Sequence, residues 1–175
     1  MTNNDQQIAN LHNLLDYDAG KFTSAEIQLK NSLPDWINQT NSLMLKTVLQ
    51  KYLNFVEQHV QKMDDFYEEE NINSLSLNNR VMHAFIEEIN EKLSTCADPE
   101  IKDACLLAGI QTVNHFKISM YGTAAAFARA LEMEKYAYIF HEHEVNEKQI
   151  DDRLTQLAEF EINKKARAPL VLPEN

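Results

Sequence analysis

Turn-forming residues are scarce in this sequence. Its 175 residues include only 3 Gly and 4 Pro, and a sheet protein with many hairpins would need more of both. Neither residue occurs between Pro34 and Pro99, or between Gly122 and Pro169. The chain is instead rich in Leu, Ala, Glu, Lys and Gln, which lose little on entering a helix. The composition therefore predicts an all-α protein, and the length fits one domain.

Basic charge and long apolar runs are also lacking. The 16 Lys and Arg residues face 27 Asp and Glu residues, which gives a net charge of −11, and such a chain repels phosphate backbones and anionic membranes. No stretch approaches the roughly 20 apolar residues of a membrane span. The first residues, MTNND, lack both the basic segment and the apolar segment of a signal peptide. We expect no nucleic-acid partner, no membrane partner and a cytoplasmic location.

Cysteine is too rare to build a disulfide framework. The two cysteines, Cys96 and Cys105, do not have the Cys-x-x-Cys spacing of thiolate metal sites. Ordinary packing in a reducing compartment is the role that fits them.

Helix breakers and apolar spacing divide the chain into four long predicted helices. The first covers about residues 6–36, with a break near Gly20 and a bend or end at Pro34. The second is capped within residues 39–42 and reaches about Tyr67. The third covers about residues 98–131 and begins with the sequence Asp-Pro-Glu, which is typical of a helix start. The fourth covers about residues 134–164.

A connection of about 30 residues separates the second and third long helices. Within it, Val81, Phe85, Ile89 and Leu93 recur at helical spacing and predict a short crossover helix. Four long helices with a long middle crossover are typical of a ferritin-like four-helix bundle. We expect residues 1–168 to form this single domain and residues 169–175 to form a tail.

Several polar residues fall on the apolar stripes of the long helices. They are Glu26 on the first, His59 on the second, Gln111 and Asn114 on the third, and His143 and Glu147 on the fourth. A buried carboxylate is costly unless it is paired or bound to a cation. One interpretation is a metal site for Fe, Mn or Zn. The other is a metal-free network in which the carboxylates bond to the histidines. Spacing alone leaves both open.

Two histidine patterns bear on the metal interpretation. A ferritin-type di-iron site uses two Glu-x-x-His motifs, but none of the six histidines has a Glu three positions ahead of it. The sequence from His141 to Glu144 alternates His and Glu, yet adjacent helical residues point about 100° apart and cannot converge. Of that run, only His143 lies on the apolar stripe of the helix. The absence of any Glu-x-x-His motif argues strongly against an ordinary ferroxidase site.

Several segments together resemble a bacterial family of ferritin-like proteins named after YciF, a domain of unknown function linked to stress responses. The segments are 24–29 (SAEIQL), 32–34 (SLP), 98–104 (DPEIKDA), 111–118 (QTVNHFKI), 121–123 (YGT), 146–151 (NEKQID) and 154–159 (LTQLAE). The resemblance spans about residues 20–168. It implies a bundle fold, homodimers and a two-metal centre between the helices.

Departures from the family pattern weaken the implied metal centre. Members usually have Glu-His-Tyr-Glu where this chain has the sequence from Asn114 to Lys117, so two acids are missing. Asn146 replaces another acid, although Glu26 and Glu147 are kept. Asn is a neutral ligand, and a dinuclear centre would be short of negative charge. A single ion or no ion is the expectation.

The candidate metal residues are Glu26, His59, Asn114, His143 and Glu147, and no catalytic or other cofactor-binding residue is assigned. The first interpretation is a homodimeric, stress-associated protein whose degenerate bundle-centre site is metal-free or mononuclear. The alternative is a protein that binds Fe or Mn and reacts with oxygen or peroxide. The sequence assigns no substrate.

Overall fold

The computed structural model describes residues 7–70 and 78–167, and over these ranges the chain is helical without any strand. The elements are α1 (Leu11–Gln39), α2 (Leu43–Glu69), α3 (Arg80–Thr95), α4 (Pro99–Ala130), α5 (Glu134–Leu157), a π-helix (Ala158–Ile162) and α6 (Asn163–Ala166). Helices α1, α2, α4 and α5 form the bundle, and α3 packs against α4 and α1. The predicted ferritin-like bundle is confirmed. The predicted tail lies outside the described residues.

Helix α1 runs without a break through both of its predicted breakers. Gly20 is buried in the helix, and Pro34 lies within its last two turns. A glycine in a helix interior costs only about 1 kcal/mol, which packing along a 29-residue helix outweighs. Pro34 removes one backbone hydrogen bond near the end of the helix. The predicted break near Gly20 is therefore wrong, and the helix ends at Gln39, three residues beyond the predicted end.

Side chains cap the starts of α2 and α4 as the sequence predicts. The Ser42 side chain accepts a hydrogen bond from the Leu45 backbone N–H at 3.2 Å, and Asp98 accepts one from Ile101 at 2.9 Å. The turn before α2 is also tied to α4, because Asp103 accepts hydrogen bonds from the backbone N–H groups of Asn41 and Ser42. This link positions α2, which carries part of the site described below.

The crossover helix α3 forms where its apolar spacing predicts it, but one residue of the stripe is wrong. Ile89 and Leu93 are buried and Phe85 is half-buried, whereas Val81 is 48% exposed and Met82 is buried in its place. Residue 82 is seven positions before Ile89, so it lies on the same helical face. None of the helices in the described part of the chain is both long and apolar enough to cross a membrane.

The fourth long helix is less regular than its sequence suggests. It is predicted as one helix to about residue 164, but α-helical bonding stops at Leu157 and resumes at Asn163. The π-helix between them buries Ile162 and leaves Phe160 65% exposed. Apolar periodicity could not reveal this change, because Leu154, Leu157 and Phe160 continue a normal helical spacing.

Candidate functional site: a buried charged cluster in the bundle

The five candidate residues all lie inside the bundle, on four different helices. Glu26 comes from α1, His59 from α2, Asn114 from α4, and His143 and Glu147 from α5. Four of them are fully buried, and His143 is 2% exposed. Each lies on the apolar stripe of its helix, so the packing that buries the stripe also brings the polar groups together.

A lysine lies at the centre of this cluster. Lys117 on α4 is fully buried, and its Nζ is 2.9 Å from Glu26 Oε2 and 2.5 Å from Glu147 Oε1. The same Nζ donates a 3.4 Å hydrogen bond to the Tyr52 hydroxyl and lies 4.8 Å from the centre of the Tyr52 ring. The ammonium group therefore joins carboxylates of α1 and α5.

The sequence assignment missed Lys117 because it chose a different stripe on α4. That stripe included Gln111 and Ile118, which are only half-buried. Gln111 instead donates hydrogen bonds to Asp151 and Thr155, so its inward placement is wrong. The available signal was position 117, where the family resemblance implies an acid, at helical spacing from Asn114 and Tyr121.

Glu147 receives hydrogen bonds from two further helices. Tyr52 donates to Oε2 at 2.7 Å, and Asn114 Nδ2 donates to the same oxygen at 2.6 Å and to the Glu147 backbone carbonyl at 3.0 Å. Burial raises the pKa of Tyr52 well above its usual value, and the negative charges of Glu147 and Glu26 raise it further. Tyr52 therefore stays a donor to Glu147.

Glu26 is held in a similar way on the other side of the lysine. Its Oε1 faces His59 Nδ1 at 3.1 Å and accepts a hydrogen bond from the Tyr121 hydroxyl. Burial alone would raise the pKa of Glu26, but Lys117 and the hydrogen bonds outweigh it and lower the pKa to about 2. Burial and the charge of Glu26 raise the pKa of Tyr121 well above its usual value. Glu26 is therefore ionised.

The two histidines of the cluster stack on one another. The ring centroids of His59 and His143 are 4.0 Å apart and their planes differ by 28°. Burial, and then the nearby His59, lower the pKa of His143 to about 2. Among the described residues, Nδ1 of His143 has no hydrogen-bond partner. His143 therefore remains neutral. Within the described ranges no carboxylate is hydrogen-bonded to it, contrary to the metal-free interpretation.

The donor set can be compared with what a metal would need. Glu26, His59 and Glu147 each offer a ligand atom within 4.8 Å of the others. One oxygen of each carboxylate, Glu26 Oε2 and Glu147 Oε1, however, contacts the Lys117 ammonium. Asn114 donates its amide nitrogen to Glu147, and its Oδ1 has no hydrogen-bond partner among the described residues. These residues do not fit the two-metal centre that the family resemblance implies, because a fixed cation already lies between its acids.

The alternating His and Glu run on α5 is a surface feature apart from His143. His141 Nδ1 lies 3.2 Å from Glu144 Oε2, and His141 is half exposed. Glu144 also pairs with Lys148 at 2.6 Å. The prediction that only His143 of this run faces inward is confirmed.

Comparisons with known proteins agree with the fold and the resemblance. The family model described as "Domain of unknown function (DUF892)" matches residues 10–167. Protein YciF of Escherichia coli strain K12 is 33% identical over 144 residues, which are 82% of this chain and 87% of YciF.

Two solved structures superpose on most of the chain. The crystal structure of the Escherichia coli stress protein YciF has a TM-score of 0.84 and 28% identity, and the match covers 92% of this chain and all of YciF. The structure of YcfI from Rhodopseudomonas palustris has a TM-score of 0.82 and 24% identity over 86% of this chain and 96% of that one. The family match and the identity to YciF show that this chain belongs to the DUF892 family.

Proposed function

We propose that this chain is a metal-free, stress-associated member of its family, in which Lys117 takes the place of metal ions at the centre of the bundle. The observation that carries the proposal is the contact of one buried ammonium with both Glu26 and Glu147. A function in stress comes from the relative YciF, which is called a stress protein.

The charges in the cluster support a structural role. Carboxylates buried between helices need a counter-cation, and Lys117 supplies one that cannot exchange with solvent. Burial alone would lower the pKa of Lys117, but Glu147 and Glu26 outweigh it and raise the pKa above its ordinary value. A permanently charged ammonium has neither an open coordination position nor redox chemistry. The cluster therefore holds helices in register, and the protein acts through its surfaces.

A homodimer and a cytoplasmic location belong to the same proposal. The family resemblance implies the dimer, and the acidic composition, with a net charge of −11, suits a protein that does not bind nucleic acid. Light scattering coupled to gel filtration tests the dimer directly, because two chains of 20.2 kDa would give about 40 kDa.

The alternative is a single Fe or Mn ion with oxygen or peroxide reactivity. The closeness of ligand atoms from Glu26, His59 and Glu147 favours it. It would require Lys117 to leave both carboxylates, and no other acid of the cluster could then receive its charge. We therefore place it second.

Thermal unfolding with and without metal distinguishes the two proposals. A ligand that binds only the folded state at 100 times its Kd adds about 2.7 kcal/mol, which raises Tm by several degrees in a chain of this size. We expect Tm to change by less than about 1 °C on adding Fe(II) or Mn(II) anaerobically, or EDTA. A rise in Tm with either metal that Glu26→Gln removes would support the alternative.

A further inference from the structure

A groove on the surface of the bundle has the features of a second, unassigned binding site. It lies between α2 and the end of α5 with its π-helix, and its cavity volume is about 540 Å³, within the range of small-molecule sites. Val48 and Leu157 form part of its apolar lining, with Met44 and Phe160 beside them. None of these residues belongs to the buried charged cluster.

Large apolar side chains are exposed at this groove. Phe160 is 65% exposed and Met44 is 57% exposed. Phe160 is presented by the π-helix, and π-helical turns are rare and occur frequently at functional sites. A distortion of α5 thus coincides with apolar surface that is left open.

The groove also carries two cations without acidic partners. Lys51 and Arg153 line it, and across residues 7–70 and 78–167 neither lies within ion-pair distance of a carboxylate. Arg153 only donates a 3.3 Å hydrogen bond to Gln156. The one acid of the lining, Glu161, is held by Lys165 at 2.9 Å and by Ser42. The lining therefore holds two cations and one acid that is already paired.

We propose that this groove binds a small amphipathic monoanion, a straight-chain fatty carboxylate. The apolar lining contacts the hydrocarbon chain of the ligand, and Lys51 and Arg153 bind its carboxylate. The net charge of the whole molecule favours a small anion over an acidic macromolecule as the ligand. A net charge of −11 disfavours an acidic protein as the occupant, whereas a single carboxylate gains from Lys51 and Arg153 at little long-range cost. The proposal is independent of the function proposed for the bundle centre.

Titration calorimetry with sodium dodecanoate, below its micelle concentration, tests the proposal on the full chain. We expect saturable binding of one dodecanoate per groove and none of butanoate, which has too little apolar surface. Dodecyltrimethylammonium keeps the chain but reverses the charge, so we expect it to bind at least tenfold more weakly. The ammonium probe separates recognition of charge from simple partition into an apolar surface.

Surface variants assign the binding to this groove. Lys51→Gln with Arg153→Gln should weaken dodecanoate binding about tenfold or more, and Phe160→Ala should weaken it by removing apolar contact. The matched control, Lys62→Gln with Arg129→Gln, makes the same change of charge away from the groove and should leave affinity unchanged. All these side chains are exposed, so the variants are expected to fold.

Three outcomes would overturn the proposal. They are the absence of saturable dodecanoate binding, equal binding of the cationic probe, and unchanged affinity when Lys51 and Arg153 are both replaced. If Phe160→Ala instead converts a dimer to a monomer and dodecanoate does not bind, the groove is an interface with a second copy and the proposal is wrong.

Discussion

Lys117 is the residue on which the bundle centre depends most. Lys117→Met keeps much of the side-chain volume but leaves Glu26 and Glu147 buried without their shared cation. Removing one partner of a buried ion pair costs about 3–5 kcal/mol. We expect urea denaturation at pH 7 to show a loss of this size in the free energy of unfolding.

The control for Lys117 is a lysine of the same helical bundle that pairs on the surface. Lys148 contacts Glu144 at 2.6 Å, but its side chain is 54% exposed, so Lys148→Met should cost far less. Adding Glu147→Gln to Lys117→Met should recover part of the lost stability, because one uncompensated charge is gone. Equal losses in the Lys117 and Lys148 variants would contradict the account.

His143 should make stability depend on pH in a particular window. Its pKa is about 2 in the folded protein and about 6.5 when unfolded. Below pH 6.5 the unfolded state therefore binds a proton that the folded state does not, and stability is lost as pH falls. The slope is about 1.4 kcal/mol per pH unit. Between pH 6.5 and 5, this amounts to about 2 kcal/mol.

The measurement compares denaturation midpoints of the protein and of His143→Gln across that window. The variant cannot titrate at residue 143, so its stability should fall less steeply. His141→Gln is the matched control, because His141 is exposed, and it should keep the slope of the unmodified protein. A parallel fall in all three proteins would show that His143 is not the source.

At the level of residues, the sequence predicted which side chains are buried better than it predicted which groups they contact. Glu26, His59, Asn114, His143 and Glu147 all lie on apolar stripes, and all are buried. Lys117 could not be placed in the same way, since a 3–4 spacing along α4 permits two neighbouring stripes. Charged residues are also presumed to be exposed until a partner on another helix is known.

Helices α3 and α4 approach closely at Gly109. A Cβ added there would lie 2.5 Å from Cγ1 and 2.9 Å from Cδ1 of Ile89. We expect Gly109→Ala to destabilise the protein by about 1–3 kcal/mol through this overlap, although Ala is the better helix former by about 1 kcal/mol. The loss should appear in thermal or urea unfolding.

Two further variants identify the cause of that loss. Gly122→Ala should be nearly neutral, because its new Cβ would meet only the carboxylate end of Glu144 at 3.3 Å. Combined with Ile89→Ala, the Gly109→Ala change should lose most of its cost. If the cost persisted without the Ile89 side chain, contact with α3 would not explain it.

Asp103 links α4 to the start of α2. Its carboxylate accepts hydrogen bonds from the backbone N–H of Asn41 at 2.9 Å and of Ser42 at 2.7 Å. In Asp103→Asn, one of these acceptors becomes a donor, so a buried N–H loses its partner at a cost of about 1–3 kcal/mol. Asp152→Asn, an exposed change on α5, should leave the urea midpoint unchanged. Equal midpoints for both variants would contradict this role of Asp103.

At the level of elements, the sequence could predict features that depend on residues close to one another in the chain. The caps at Ser42 and Asp98 act within three residues, and both were predicted and observed. The link from Asp103 to the α2 start spans 62 residues to Asn41, and no local pattern indicates it. The uninterrupted course of α1 through Pro34 likewise depends on packing in the folded bundle.

For the whole molecule, the architecture was the most predictable property. Few helix breakers, apolar spacing and one long crossover led to a ferritin-like bundle, which the structure and its likeness to YciF confirm. The chemistry at its centre was less predictable, because it depends on which few residues replace the family's acids. Asn114 and Lys117 alone convert a potential pair of ligands into an amide donor and an internal cation.

Metal content by inductively coupled plasma mass spectrometry is the most direct test of the claim that Lys117 replaces the metal. The protein and an Asn114→Glu, Lys117→Glu variant, which restores the two family acids, would be loaded anaerobically with Fe(II) or Mn(II) and desalted. We predict less than about 0.1 ion per chain in the protein itself and near-stoichiometric metal in the variant, since two added carboxylates supply the charge that a metal centre needs. Retention of about one ion per chain by the unmodified protein, and its loss in Glu26→Ala, would contradict the account.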